Sequence, residues 1–242
     1  MNKAAHILIT ISILLSAGCS SKFELNSLKL RHPKGGLLGF DVSQYQGVIQ
    51  WDKLKSSETK RTLQFIMIRS TAGDNLRDRM FTSNWRESKK QKLVRGAYHY
   101  YRPDENSIKQ ASNYIKNVKL EKGDLPPILD IEAKSKVQSM SSLKVGIQRY
   151  LDKVEAHYGV KPIIYSSQNY YLTFLKTHFS KYPLWIANYN QAKYPIIKGW
   201  KFWQYTDHGK LKGINGDVDL NIFQGSIADL KKLCIQQKIK EP

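Results

Sequence analysis

Cysteine is nearly absent: Cys19 and Cys234 are the only two in 242 residues. No disulfide framework and no cysteine-based metal site can be built from them. The six histidines, His6, His32, His99, His157, His178 and His208, show no paired ligand spacing, so zinc is not expected. There is no G-x-S-x-G turn for a serine nucleophile and no glycine-rich phosphate loop. No fixed-period repeat or low-complexity segment occurs either. Acidic residues are outnumbered, 20 against 39 Lys and Arg, for a formal charge of +19. Such an excess favours anionic surroundings, whether wall polymers, acidic lipid headgroups or nucleic acid, but a solvated basic surface accounts for it equally simply and the charge narrows little. The lysines are scattered rather than interleaved with aromatics, so nucleic acid is not the expected partner.

Long apolar runs are also missing. The stretch from Ala4 to Ala17 follows a short basic start, Met1-Asn2-Lys3. At about fourteen residues it falls short of the ~20 that span a bilayer, and it suits a secretory leader. It ends in Ser16-Ala17-Gly18-Cys19-Ser20-Ser21, which resembles a bacterial lipoprotein signal with Cys19 as the lipidated residue. Ser16 stands where that pattern prefers Leu15. The expected organisation is a leader over 1–18, a polar tether over 19–36 and a single domain over 37–242. By the same resemblance, Ser20 after Cys19 permits sorting to an outer membrane. A monomer held at a membrane by its lipid is the expected state.

Within 37–242 the period of the apolar residues alternates. Strands are predicted at Leu37–Ser43, Phe65–Ser70, Val94–Tyr101, Ile128–Glu132 and Pro162–Ser166. Helices are predicted at Trp51–Ser57, Arg79–Lys92, Ser107–Lys119 and Ser141–Tyr158, with a short aromatic helix around Tyr170 to Thr177. Five β/α units in series indicate a parallel sheet or barrel. Three further strands, at 184–189, 201–206 and 217–220, are separated by about ten residues with Pro195, Gly199, Gly209, Gly213 and Gly216 among them. Those gaps are too short for helical crossovers. The expected fold is an α/β, irregular TIM-like barrel of five β/α units followed by three loop-connected, partly antiparallel strands. Ser226 to Lys240 reads as one basic helix carrying Cys234.

The chemistry centres on Leu125-Pro126-Pro127-Ile128-Leu129-Asp130-Ile131-Glu132. In an extended chain Asp130 and Glu132 point the same way, roughly 7 Å apart. Burial and like charge raise the pKa of such a pair, which is how a carboxylic acid stays protonated for general-acid work. The bland reading is a helix cap beside an ion pair. In parallel barrels function collects at the C-terminal strand ends. Those ends carry Asp41, Arg69, Tyr98 to Tyr101, Asp130, Glu132, Tyr165, Asn188 and Tyr189, then Gln204, Tyr205, Asp217 and Asp219. Aromatics suit sugar faces, and amides and tyrosines suit hydroxyl and acetamido groups. A carboxylate ring could instead hold Mg²⁺ or Ca²⁺.

Three motifs carry a resemblance. They are Gly39-Phe40-Asp41-Val42-Ser43-Gln44-Tyr45-Gln46-Gly47 with Trp51, Gly96-Ala97-Tyr98-His99-Tyr100-Tyr101-Arg102-Pro103, and Asp130-Ile131-Glu132. With Pro162–Tyr165, Leu184–Tyr189, Trp203–Tyr205 and Asp217–Asn221, they resemble glycoside hydrolase family 25, the lysozyme-type muramidases. The likeness runs from about Leu37 to Phe223. It implies a barrel of five β/α units with three more strands, and cleavage of the β-1,4 bond from N-acetylmuramic acid to N-acetylglucosamine in peptidoglycan. It also implies Glu132 as general acid, assisted by Asp130, with Asp41 and Asp219 as the other acidic positions and no metal or cofactor. A substrate-assisted second step fits two acids on one strand better than two facing each other across a sugar. Tyr98, Tyr100, Tyr165, Trp185, Asn188, Tyr189 and Gln204 are the expected substrate-binding residues. The alternatives are a non-catalytic wall-binding lipoprotein, or a hydrolase of a related N-acetylglucosamine polymer.

Overall fold

A computed structural model describes residues 34–56, 61–189 and 194–237. The expected leader, Cys19 and most of the expected tether lie outside the described residues. Eight strands close a barrel: β1 Leu37–Val42, β2 Leu63–Ala72, β3 Val94–Tyr100, β4 Ile128–Asp130, β5 Ile163–Ser167, β6 Leu184–Ala187, β7 Phe202–Gly209 and β8 Val218–Phe223. Neighbours from β1 through β7 run parallel, and β8 is antiparallel to both β7 and β1. β8 closes the ring with Asp219 opposite Asp41.

The helices are α1 Phe81–Lys90, α2 Ser107–Asn117, α3 Met140–Tyr158, α4 over 168–179 and α5 Ile227–Leu233. α3 shows how the sequence specifies them. Leu143, Ile147, Tyr150, Leu151, Val154 and Tyr158 recur at helical spacing and are buried. The Ser139 hydroxyl accepts from the Ser142 amide at the start, and Gly159 ends the helix at φ 69.

Strand alternation sorts the side chains into two layers. Phe40, Ile66, Ala97, Leu129, Ile164, Ile186 and Trp203 face outward into the layer shared with the helices. Phe65, Met67, Tyr98, Ile128, Ile163, Trp185 and Phe202 fill the interior. The interior is plugged at the N-terminal strand ends by α5, whose Leu230 is 0% exposed and packs with Phe65, Phe202 and Phe223. Beyond α5, Ile235 exchanges backbone hydrogen bonds with the Gly123–Asp124 turn. The other end is open and carries polar groups.

Several expectations are corrected. The segment after β1 holds two 3-10 turns, Gln44–Gln46 and Trp51–Lys53, followed by the two-residue strand Lys55–Ser56, which pairs with Leu211–Lys212. It does not form the helix expected over 51–57. The basic helix expected over 226–240 ends at Leu233, and residues 238–242 lie outside the described residues. Cys234 caps α5 rather than lying within it, and its thiol donates to the Leu230 carbonyl at 3.2 Å. β6 is parallel to both neighbours although no helix joins it to β7 among the described residues. The antiparallel reversal belongs to β8 alone.

One interior contact is tight. A Cβ added to Gly39 would meet the Phe65 ring at 2.4 Å. Gly39→Ala is therefore expected to cost about 1–3 kcal/mol through overpacking. Denaturant midpoints would show it, and Phe65→Leu in the same chain should recover part of the loss. An unchanged midpoint for Gly39→Ala would refute the contact.

Candidate active site

The open end of the barrel holds a cavity of about 260 Å³ lined by Asp41, Asp130, Glu132 and Asp219, with Arg69, Tyr98, Tyr100, Tyr165, Trp185, Tyr189 and Gln204 among its other walls. A second lobe of about 270 Å³ adjoins it, lined by Gln168, Asn169 and Asn188. Glu132, Tyr165 and Tyr189 line both lobes, so Glu132 stands at the junction of a two-part cleft. The four acidic positions singled out from the sequence thus converge.

Their positions follow from strand order. Asp41 ends the interior face of β1 and is 4% exposed. Its Oδ1 accepts from Gln204 Nε2 at 2.8 Å and from Asn221 Nδ2 at 2.7 Å. Each amide is fixed in turn. Asn221 Oδ1 accepts from Trp185 Nε1 at 2.7 Å, and indole nitrogen can only donate. Gln204 Oε1 accepts from the hydroxyls of Tyr165 at 2.7 Å and Tyr189 at 2.8 Å. Both amide nitrogens are therefore turned toward Asp41. Burial first, and the nearby Asp219 charge second, still hold the Asp41 carboxyl well above the ordinary range, against the pull of those two donors.

Asp130 ends β4 and is 4% exposed, while Glu132 lies two residues past the strand and opens to solvent. Ile131 between them is buried in the outer layer, so both carboxyls project into the cleft as alternation requires. The two carboxyls are near enough to shift each other's titration. Burial raises both pKa values, most strongly for Asp130, where the adjacent Glu132 charge adds to it. Both acids therefore keep their protons to higher pH than free carboxyls do. Asp130 Oδ1 is buried with no hydrogen-bond partner among the described residues. Asp219, across the mouth, is pushed up to about 6 by burial and by the charges of Asp207 and Glu132.

The sequence placed Arg69 at a strand end without a role. It is the cation among the residues lining the 260 Å³ lobe, and its Nε donates to Asp78 at 2.9 Å. Asp78, whose side chain is 0% exposed, also accepts from the amides of Gln44 and Met80 at 2.9 Å. The guanidinium lies 4.8 Å from the centre of the Tyr45 ring, which is 79% exposed at the lip. Tyr45 and Gln46 were visible only as parts of a motif, because the loop that carries them has no periodicity.

Other expected residues sort by layer. Tyr98, Tyr100, Tyr165 and Gln204 are interior, and Asn188 and Tyr189 line the second lobe. Trp185 is 1% exposed and forms the floor, its ring 4.3 Å from that of Tyr165. Tyr101 and Tyr205 belong to the outer layer, away from the cleft. Asp217 pairs with His208 and Lys210 on the surface and does not line the cleft. The described residues contain no group of three His, Cys, Asp or Glu side chains arranged to hold a metal ion.

These raised acids have a consequence for stability. A carboxyl whose folded pKa is raised stabilises the fold below its unfolded pKa, and that contribution is lost as pH rises through the folded value. Asp130→Asn mimics the protonated acid and keeps a donor toward Glu132. It is expected to raise Tm by about 2–6 °C at pH 8 and by much less at pH 4. Calorimetry at both pH values would test this. An equal shift at the two, or a fall at pH 8, would contradict the raised Asp130 pKa.

Comparison with known proteins agrees with this geometry. The model of the glycosyl hydrolases family 25 matches residues 40–214. The uncharacterized protein YegX of Escherichia coli (strain K12) is 40% identical over 196 residues, covering 80% of this chain and 71% of that protein. Lysozyme M1 of Streptomyces globisporus is 31% identical over 213 residues, with coverage of 82% and 71%. The crystal structure of the bacterial lysozyme from Streptomyces coelicolor superposes with a TM-score of 0.74 at 29% identity, covering 84% of this chain and 98% of that one. A closed eight-stranded barrel, a pair of acids with raised pKa values at its mouth and a family match across most of the chain agree: this chain belongs to glycosyl hydrolase family 25.

Proposed function

We propose that the protein is a muramidase that cleaves the β-1,4 bond between N-acetylmuramic acid and N-acetylglucosamine in peptidoglycan. The observation that carries the reading is the Asp130–Glu132 pair in the cleft, with Glu132 at the junction of the two lobes. A glycan strand laid along the cleft would place one sugar in each lobe and the linking oxygen beside Glu132. Lysozyme M1 and the lysozyme of known structure support the choice of polymer.

In this reading Glu132 protonates the departing glycosidic oxygen. That transfer leaves Glu132 as its carboxylate, ready to act later as base, while Asp130 stabilises the positive charge that develops at the anomeric centre. Its partnerless Oδ1 is suited to accept from the N–H of a 2-acetamido group. That contact would orient the acetamido oxygen for attack on the anomeric carbon, the substrate-assisted route. Water then opens the resulting ring, with Glu132 as base. Asp219, once ionised, would supply negative potential to the oxocarbenium-like transition state, and Asp41, locked by its two amides, would hold the wall opposite it. Tyr98, Tyr100 and Tyr189 offer faces and hydroxyls to the sugars. No metal or cofactor takes part. The leader and Cys19 fit an exported, lipid-anchored enzyme of the cell envelope.

Mass spectrometry of fragments released from purified peptidoglycan tests the reading. Fragments ending in reducing muramic acid are expected. Glu132→Gln should lower their rate on the order of 10²–10⁴-fold. Reducing-end glucosamine would move the cut to the other bond, and equal release by the variant would remove Glu132 from its role. Because catalysis needs the pair's raised proton, activity should peak at acid-to-neutral pH and fall as the medium becomes alkaline. A rate that climbs through alkaline pH would sink the assignment.

A further inference from the structure

Charge is divided unequally between the two ends of the barrel. The open end carries Asp41, Asp130, Glu132 and Asp219, with Asp78 under Arg69 and Asp207 and Asp217 on the rim. Cations gather at the opposite end, where strands begin and helices finish. Lys92 lies in the turn before β3, Lys122 in the turn before β4, and Lys161 and Lys201 precede β5 and β7. Lys231 and Lys232 lie on α5, the plug of that end. All six are exposed.

Acids near them are taken up by other cations, Glu87 by Arg86 and Lys90 and Asp124 by Arg95. Glu121 is held by Lys89 at 2.6 Å. Asp229 caps α5 through Ser226 and has Lys232 at 3.8 Å. Among the described residues Lys92, Lys122, Lys161, Lys201 and Lys231 form no ion pair. Their charge projects into solvent.

The chain enters the fold at the same end. Residues 34–36 lead into the start of β1, and the Gly35 carbonyl accepts from Arg61, which precedes β2, at 2.9 Å. Residue 34, the first described, therefore lies at the basic end and not at the cleft.

We propose that the plugged end of the barrel is a docking face for an anionic lipid bilayer, which turns the cleft away from the membrane. Charge complementarity and the point of chain entry both select this occupant. The ten residues of β2 span roughly 33 Å at ~3.3 Å each, and the Debye length is ~8 Å at physiological salt. The lipid potential is therefore screened out before it reaches the site acids. The proposal does not depend on the hydrolytic reading.

Co-sedimentation of the full chain with vesicles tests it, comparing equal parts phosphatidylglycerol and phosphatidylcholine with phosphatidylcholine alone. The difference between the two removes any contribution of the apolar leader. Stronger, salt-sensitive binding to the anionic vesicles is expected. Reversing four lysines, Lys92→Glu, Lys122→Glu, Lys161→Glu and Lys231→Glu, should weaken that binding by at least about 100-fold. Reversing two at the cleft end, Lys109→Glu and Lys136→Glu, should change it less than about 5-fold. Single reversals that leave the melting midpoint unchanged should weaken it stepwise at the plugged end. Equal binding to both vesicle types, or equal loss from reversals at either end, would overturn the proposal. Retention on an anionic wall polymer without retention on the vesicles would reassign the face and overturn it too.

Discussion

The buried carboxylate of Asp41 and the two amides that hold it are what the mouth of the barrel depends on. A buried carboxylate tolerates its position only when donors are aimed at it. Here Gln204 and Asn221 supply them, and each is kept in its orientation by aromatic donors on other strands. The chain of bonds runs from β1 to β8 and β6 through Asn221, and from β1 to β7 and β5 through Gln204. It fastens together the strands whose order changes direction at β8, where backbone pairing alone would leave the cleft walls free to shear. The same bonds leave Tyr165 and Tyr189 with fixed hydroxyls at the boundary of the two lobes.

Around that anchor the site works against the stability of the fold. Asp130 and Asp219 are raised by burial and by their neighbours' charges, so every proton lost at the mouth adds repulsion. Arg69 answers part of it, but it is pinned by Asp78, which is itself tied down by two backbone amides. The interior layers of Phe65, Phe202, Phe223 and Leu230 below carry no such conflict. Apolar packing at one end of the barrel sustains concentrated charge at the other, and the two are separated along the length of the strands.

Much of this was legible in the chain because alternation is a strong signal. Asp130 and Glu132 could be set on one side of a strand from spacing alone, and Glu132 keeps that side although it lies beyond the last ladder pair. Tyr101 and Tyr205 were misjudged for the same reason. Each neighbours an interior residue in sequence, and a one-residue step changes the face. The helix expected over 51–57 failed because its few apolar residues serve a 3-10 turn and a two-residue strand, which leave no period to read. Over 226–240, basic composition looked helical throughout, yet the backbone after Leu233 turns away to pair with the Gly123–Asp124 turn. Pairing of that kind depends on residues more than a hundred positions away, which no local pattern encodes.

Asp41 and Asp219 face each other on adjacent strands although they stand near opposite ends of the folded chain. Everything that fixes Asp41 arrives late: Trp185 on β6, Gln204 on β7 and Asn221 on β8. A chain emerging N-terminus first therefore carries its acid pair long before it carries a site. While it is being made, or threaded unfolded through a channel, it has no cleft with which to cut anything. Assembly of the last strand is thus a built-in delay on reactivity, set by topology and requiring no separate inhibitory segment.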